Sequence, residues 1–199
     1  VHSMSARSDI RNQRESEILS HFAAAISELG LEGASIAKVA ARMDCPPSLI
    51  MHYYKTKDDL IEALFRAMVE EIKEQVLEKD LRLPSPGKRF KSFQDLLFNP
   101  MRLWDQKLGN PSIWFQFLAM TSRNDRIHSL FLDYLEFYRS VVRQQLEDFM
   151  QLGMVRKTDP EALTDLVICF ADGLTHRLFL KPEISVTRLR KELLGILKP

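Results

Sequence analysis

Side chains able to do chemistry occur throughout this chain, but few are spaced as a reaction would require. There is no His-Glu-x-x-His pair for zinc, no glycine-rich phosphate loop, no Gly-x-Ser-x-Gly elbow, and only seven glycines in 199 residues. An enzyme is not expected. Cys45 and Cys169 lie far apart in apolar surroundings with no Cys/His cluster nearby, so they read as buried free thiols, and neither a metal nor an organic cofactor is expected. One constellation is spaced for interaction: Asp172 and His176, four apart, share a helix face and with Arg177 are the charge-bearing groups of an apolar stretch. They suit an ion pair satisfied at a seam between subunits, or a polar handle for a ligand.

The cations carry a different possibility. Net charge is only +1, and residues 1 to 66 hold eight Lys/Arg against nine Asp/Glu, so composition alone gives no support to nucleic-acid binding. Phosphate affinity depends on where cations sit, however, and Arg7, Arg11, Arg14, Lys38, Lys55 and Lys57 are able to face one way. No apolar run approaches the roughly 18 residues of a membrane span, and the N-terminal stretch is polar, so a cytoplasmic protein without membrane contact is expected.

The elements that must position these groups are helices. Apolar residues recur at three and four throughout and alternating β-branched runs are missing, which predicts an all-α protein. A first helix spans roughly Arg11 to Leu29 and stops at Gly30. Ser35 suits the N-cap of a short helix, Ile36 to Met43, burying Ile36, Val39, Ala40 and Met43. Pro47 suits the first position of a third helix reaching about Tyr54, because its missing N–H would have no intrahelical partner there. Thr56 and Asp59 approximate a capping box for a long fourth helix carrying Leu60, Ile61, Leu64, Phe65, Met68, Ile72 and Val76. Leu83-Pro84-Ser85-Pro86-Gly87 is the clearest break. Helices from about Lys88 to Leu108, Ser112 to Ser122, Arg126 to Leu152, Asp159 to Leu180 and Val186 to Leu197 follow.

Two short helices joined by a tight turn make sense when the second must enter a DNA major groove about 12 Å wide while the first braces it. Ser35 to Tyr54 has that form. The stretch Ala34-Ser35-Ile36-Ala37-Lys38-Val39-Ala40, a turn, then Leu49-Ile50-Met51-His52-Tyr53-Tyr54-Lys55-Thr56-Lys57-Asp58-Asp59-Leu60 closely resembles the DNA-binding head of the tetracycline-repressor (TetR) family. Gly30 and Gly33 match its upstream spacing, the resemblance covers about residues 14 to 66, and Phe170-Ala171-Asp172-Gly173-Leu174 is similar to a segment of the betaine-regulator subgroup. The resemblance implies a ligand-responsive transcriptional regulator: a repressor on a palindromic double-stranded DNA operator, released by a small-molecule effector. Lys38 would approach a phosphate or base edge; Pro47, Ser48, Leu49, Met51 and His52 would sit in or beside the groove; Tyr53 and Lys57 would hold phosphates; and Arg7, Arg11 or Arg14 would serve as an arm. The sequence departs from the family pattern at Asp44, where Gly is common, at Pro46, which replaces a capping Ser, and at Met51, where an aromatic is usual. The reading head is therefore apolar, and specificity is expected to lean on thymine methyls, His52 and DNA shape.

The division expected is a DNA-binding domain over 1–56 and an effector-binding and dimerisation domain over 57–199. The helix from 126 to 152 carries two apolar stripes, Ile127, Leu130, Phe131, Tyr134, Tyr138 and Val141 on one side and Leu132, Leu135, Val142, Leu146 and Phe149 on the other. That from 159 to 180 likewise has Leu163, Leu166, Val167, Phe170 and Leu174 against Ile168, Ala171, Thr175 and Phe179. A surface helix needs one stripe, so a homodimer through these two helices is expected. Trp104, Trp114, Phe117 and Met120, in an aromatic middle segment, are the candidates for contact with a largely apolar effector. The rival reading is a helical small-ligand carrier or protein-interaction module that does not bind DNA.

Overall fold

The structure, a computed structural model, describes residues 2–75, 83–104, 108 and 110–198, with side chains from residue 9 onward and without that of residue 104. Among these residues the regular structure is helical and no strand occurs. The expected effector contact Trp104 and the core position Val76 therefore lie, as side chains, outside the described residues.

The first helix, α1 (His2–Gly33), begins well before the expected start at Arg11, so Arg11 and Arg14 stand within it rather than in its first turns. Gly30 interrupts it with φ 72° and ψ 165°, a backbone state open at low cost only to a residue without Cβ. The next helix, α2 (Ile36–Arg42), starts where the Ser35 hydroxyl accepts the Lys38 backbone N–H at 3.3 Å. It buries Val39 and Ala40, whereas Ile36 and Met43 are only half-buried. A turn through Asp44, at φ 49°, leads to α3 (Pro47–Tyr53), with proline at its first position. The capping box forms as spaced: Thr56 Oγ1 accepts the Asp59 N–H at 3.1 Å and Asp59 Oδ2 accepts the Thr56 N–H at 2.9 Å, opening α4 (Lys57–Lys73).

One expected helix is two elements. Instead of running from Lys88 to Leu108, the chain forms α5 (Pro86–Phe98), capped by Ser85, and then a 3₁₀ turn over Pro100–Trp104. Pro100 has no N–H to give to a helix, and its ring pushes Asn99 out of the helical region, to φ −135° and ψ 61°. Beyond it come α6 (Pro111–Met120), α7 (Asp125–Gln151), α8 (Pro160–Leu180) and α9 (Val186–Leu197), close to the spacing-based boundaries.

Packing groups the chain into two units, Val1–Glu71 with Gln106–Leu130 and Ile72–Asp105 with Phe131–Pro199, a different partition from the division expected at residue 56. The first has α1, α2, α3, most of α4, α6 and the start of α7 around Ile18, Phe22, Ile26, Ile50, Leu64, Phe65 and Phe117. The second has a core of Leu97, Phe98, Leu146, Phe149, Val155, Val167 and Ala171.

In that second unit two expectations change. On α7, Val142, Leu146 and Phe149 belong to the core, and only Leu132 and Leu135 of their stripe stay exposed. On α8, Leu166 is 68% exposed and shares an outward face with Cys169 and Gly173, so Cys169 is an exposed thiol and Cys45 a half-buried one, rather than two buried thiols. The reason is register: residues 166, 169 and 173 lie at helical spacing on the side away from Leu163, Val167 and Leu174.

Candidate nucleic-acid interface

The segment expected to read DNA, α3, is short and carried on a single anchor. In α3 only Ile50 is buried, at 0% exposure, and it seats the helix on the core of the first unit. Pro47, Ser48, Met51 and His52 are exposed, while Leu49 and Tyr53 flank them half-buried. The residues expected in or beside a groove therefore share one open surface. His52 and Tyr53 meet edge to face, with centroids 5.3 Å apart. Tyr54 turns inward; burial, reinforced by the Glu15 carboxylate and opposed by Arg11, pushes its phenol up to about 12, so it stays neutral.

The cations around this surface differ in what they touch. Arg11 pairs with Glu15 at 2.9 Å, Arg14 with Glu17 at 2.6 Å, and Arg42 with both oxygens of Glu28 at 2.6 and 3.0 Å. Each arginine thus has its charge offset by a carboxylate, and the Arg42 contact holds Glu28 below the usual carboxylate range. The lysines keep theirs. Lys38 Nζ donates to the Gly33 carbonyl at 2.8 Å, and Lys57 Nζ donates to those of Leu31 at 2.6 Å and Glu32 at 3.2 Å. Lys55 is exposed. Neutral carbonyls do not cancel an ammonium, so the effective positive charge near α3 comes from Lys38, Lys55 and Lys57.

Reasoning from sequence missed the groups that fasten α6 and α7 to this head. Gln116 Oε1 accepts the Leu31 N–H at 2.6 Å, Asn110 Nδ2 donates to Ser27 Oγ at 3.0 Å, and Arg126 reaches Glu62 at 3.0 Å. A signal existed for Gln116, the one carboxamide in the otherwise apolar run Ile113 to Met120. Of the expected effector contacts, Phe117 is fully buried and meets Phe65 edge to face at 5.7 Å, and Trp114 stacks on Phe65 at 5.8 Å. Met120 is half-buried.

The second unit offers other places. Tyr134 and Tyr138 stack with centroids 6.0 Å apart, and the Asp172 charge lies near enough to add to the burial that raises both phenols. Partial burial pushes the Asp172 carboxyl up as well. Gln145, 6% exposed, has an Oε1 atom with no hydrogen-bond partner. An open groove of about 660 Å³ lies between α8 and α9, lined by Cys169, Gly173, Arg177, Ile184, Arg188 and Glu192 among others. Arg139 binds Glu161 and Asp165, and Arg143 binds Glu161 at 2.6 Å, tying α7 to α8 in antiparallel register. Among the described residues no helix is long and apolar enough to cross a membrane.

Known proteins converge on this arrangement. Residues 106–195 match the family described as the BetI-type transcriptional repressor, C-terminal. The HTH-type transcriptional regulator BetI of Escherichia coli O17:K52:H18 (strain UMN026 / ExPEC) is 27% identical over 135 residues, covering 62% of this chain and 68% of that protein. A TetR transcription regulator from Haloarcula marismortui ATCC 43049 superposes with a TM-score of 0.77 at 18% identity, over 92% of this chain and 95% of that one. A structure described as a transcriptional regulator from Saccharomonospora viridis in complex with choline gives 0.73 at 20% identity, over 92% and 94% of the two chains. With a head of matching sequence pattern, an all-helical fold shared with a TetR regulator and a C-terminal region that matches the BetI-type repressor model, this chain is similar to TetR-type transcriptional regulators, BetI-type ones among them.

Proposed function

We propose that the protein is a dimeric, effector-responsive repressor that occupies a palindromic DNA operator and leaves it when a small molecule binds. The observation that carries this is the surface of α3, where a single buried side chain, Ile50, holds a seven-residue helix whose other face is open. Pro47, Ser48, Met51 and His52 face the major groove, Leu49 and Tyr53 border it, and Lys38 reaches a phosphate. Exposed Leu132 and Leu135 on α7 and Leu166 and Leu180 on α8 form the face that a second copy covers, which sets two heads on one palindrome. A mobility-shift assay on the intergenic DNA beside its own gene tests the reading. Salt-sensitive binding to a palindrome supports it; no shift with or without ligand favours a helical ligand carrier.

For the effector, α6 is the first placement. A ligand contacting Trp114 and Met120 would move Phe65 and with it α4, altering how α3 is presented. DNA and effector would then weaken each other by the same factor. A second placement is favoured by the Tyr134–Tyr138 pair with Asp172 at its edge, since aromatic faces and a carboxylate suit a small organic cation of the choline type. Titration with choline separates the two: Tyr138→Ala abolishes binding under the second placement and leaves it unchanged under the first.

A further inference from the structure

Lys57 is the residue whose place in the family pattern implies a phosphate contact, yet its ammonium is engaged by backbone carbonyls at the end of α1. Gly30 breaks the α1 ladder and the Leu31 N–H turns to an acceptor outside the helix; in the last turn the Gly30 carbonyl takes the Ala34 N–H at 3.0 Å, whereas those of Leu31 and Glu32 take a side-chain donor. Both needs are met from outside the helix. Gln116 of α6 takes the Leu31 N–H at 2.6 Å, and Lys57 of α4 gives protons to the Leu31 carbonyl at 2.6 Å and the Glu32 carbonyl at 3.2 Å. A cation is also the charge that the C-terminal end of a helix favours. Leu31 is itself buried, at 9% exposure. Its two backbone polar groups are thus held by two different helices.

Lys38 makes an instructive contrast. It is exposed and touches one carbonyl, that of Gly33 at 2.8 Å, so it can swing to a phosphate while water replaces it. Lys57 is half-buried and holds two carbonyls, one of them in a part-buried bond. Turning it to DNA would leave the Leu31 carbonyl short of a donor, with a cost that phosphate binding must first offset.

Resting on the DNA-binding reading above, we propose that Lys57 is a positioning residue rather than a phosphate contact: with Gln116 it clamps the Leu31 peptide, fixing α1, α4 and α6 together and so the attitude of α3. The clamp acts on operator affinity through geometry, whereas Lys38 acts through charge.

The two kinds of action differ in their salt dependence. The full chain and its Lys57→Met, Lys57→Arg, Gln116→Leu, Lys57→Met/Gln116→Leu and Lys38→Met variants would be titrated by fluorescence anisotropy between 50 and 300 mM KCl. The probe is the tightest duplex selected from a random pool, at a temperature well below each melting point. Lys57→Met and Gln116→Leu are each expected to weaken binding about fivefold with the slope of log K against log salt unchanged. The double variant should be little weaker than either single one, and Lys57→Arg, which can donate to both carbonyls, should restore binding. Lys38→Met should lower the slope by about 0.9. A slope reduced by that amount in Lys57→Met overturns the proposal, and so does wild-type affinity in either single variant, since a role in stability alone would move melting points only. If the wild type binds no selected duplex, the DNA reading fails and the clamp is judged by melting alone. Non-additive losses in the double variant support it; additive losses sink it.

Discussion

The two packing units handle polar groups in opposite ways. In the first, the needs created at the Gly30 break and at Ser27 are met by partners far along the chain, from Gln116, Lys57 and Asn110, and the surface of α3 stays open, as do Leu29 and Leu118. In the second, an aromatic core built on Phe149, with Phe90 and Phe93 packed edge to face against it, coexists with exposed leucines on α7 and α8 and with an orphaned acceptor at Gln145. A unit whose backbone needs are met internally can present a rigid reading surface. One with exposed leucines and an unmet buried acceptor gains by acquiring something, either a second copy or a ligand.

The sharpest way to break this contrast is at Phe117. If the first unit is closed around it, Phe117→Ala removes a fully buried ring packed on Phe65 and lowers unfolding stability by about 3–5 kcal/mol, measured by urea denaturation. A loss under about 1 kcal/mol would mean that the ring lines space rather than fills it, and the α6 effector placement would gain accordingly. On the other side, Leu166→Arg places a charge on the exposed α8 face. Its dimer dissociation constant should rise by about a hundredfold with the fold of each chain intact, read by sedimentation velocity and circular dichroism. An unchanged dimer would show that this face is not the seam.

Gln145→Leu tests the unmet need directly and should act in the opposite sense from most core substitutions. Removing a buried acceptor that lacks a partner should stabilise the ligand-free protein by about 1–3 kcal/mol in the same urea assay. Destabilisation would show that the carboxamide is satisfied in solution, and the contrast between the units would weaken by that much.

What the sequence revealed follows the range of the interactions involved. Ser35, Pro47 and the Thr56–Asp59 pair are caps, made within four residues, and their spacing alone located α2, α3 and α4. The Asn99-Pro100 break is equally local and was legible; the apolar periodicity on either side masked it. Periodicity also identified two apolar stripes on α7 and α8, but it is blind to which stripe a neighbouring helix covers, so Leu166 and Cys169 came out on the wrong side. The partners of Lys57, Arg42 and Gln116 were beyond reach, even where the lone carboxamide of Gln116 signalled a need for one, because each partner lies 14 to 85 residues away and only the fold brings them together.

Asp44 gives the smallest effect and separates backbone from charge. It sits at φ 49° in the turn before α3, a conformation that costs an L-residue about 1 kcal/mol and glycine nothing, although glycine also gains freedom in the unfolded chain. Asp44→Gly should therefore stabilise the protein by only about 0.5 kcal/mol. Its carboxylate is exposed beside the proposed reading surface, where phosphates would repel it. Losing it should tighten DNA binding about twofold, more at low salt than at high. Asp44→Asn keeps a side chain that tolerates the left-handed region and removes only the charge, so it should reproduce the gain in affinity without the gain in stability. If the Asn variant binds DNA no better than the wild type, the turn lies farther from the phosphate backbone than the exposure of α3 implies, and the way the first unit presents its reading helix must be redrawn.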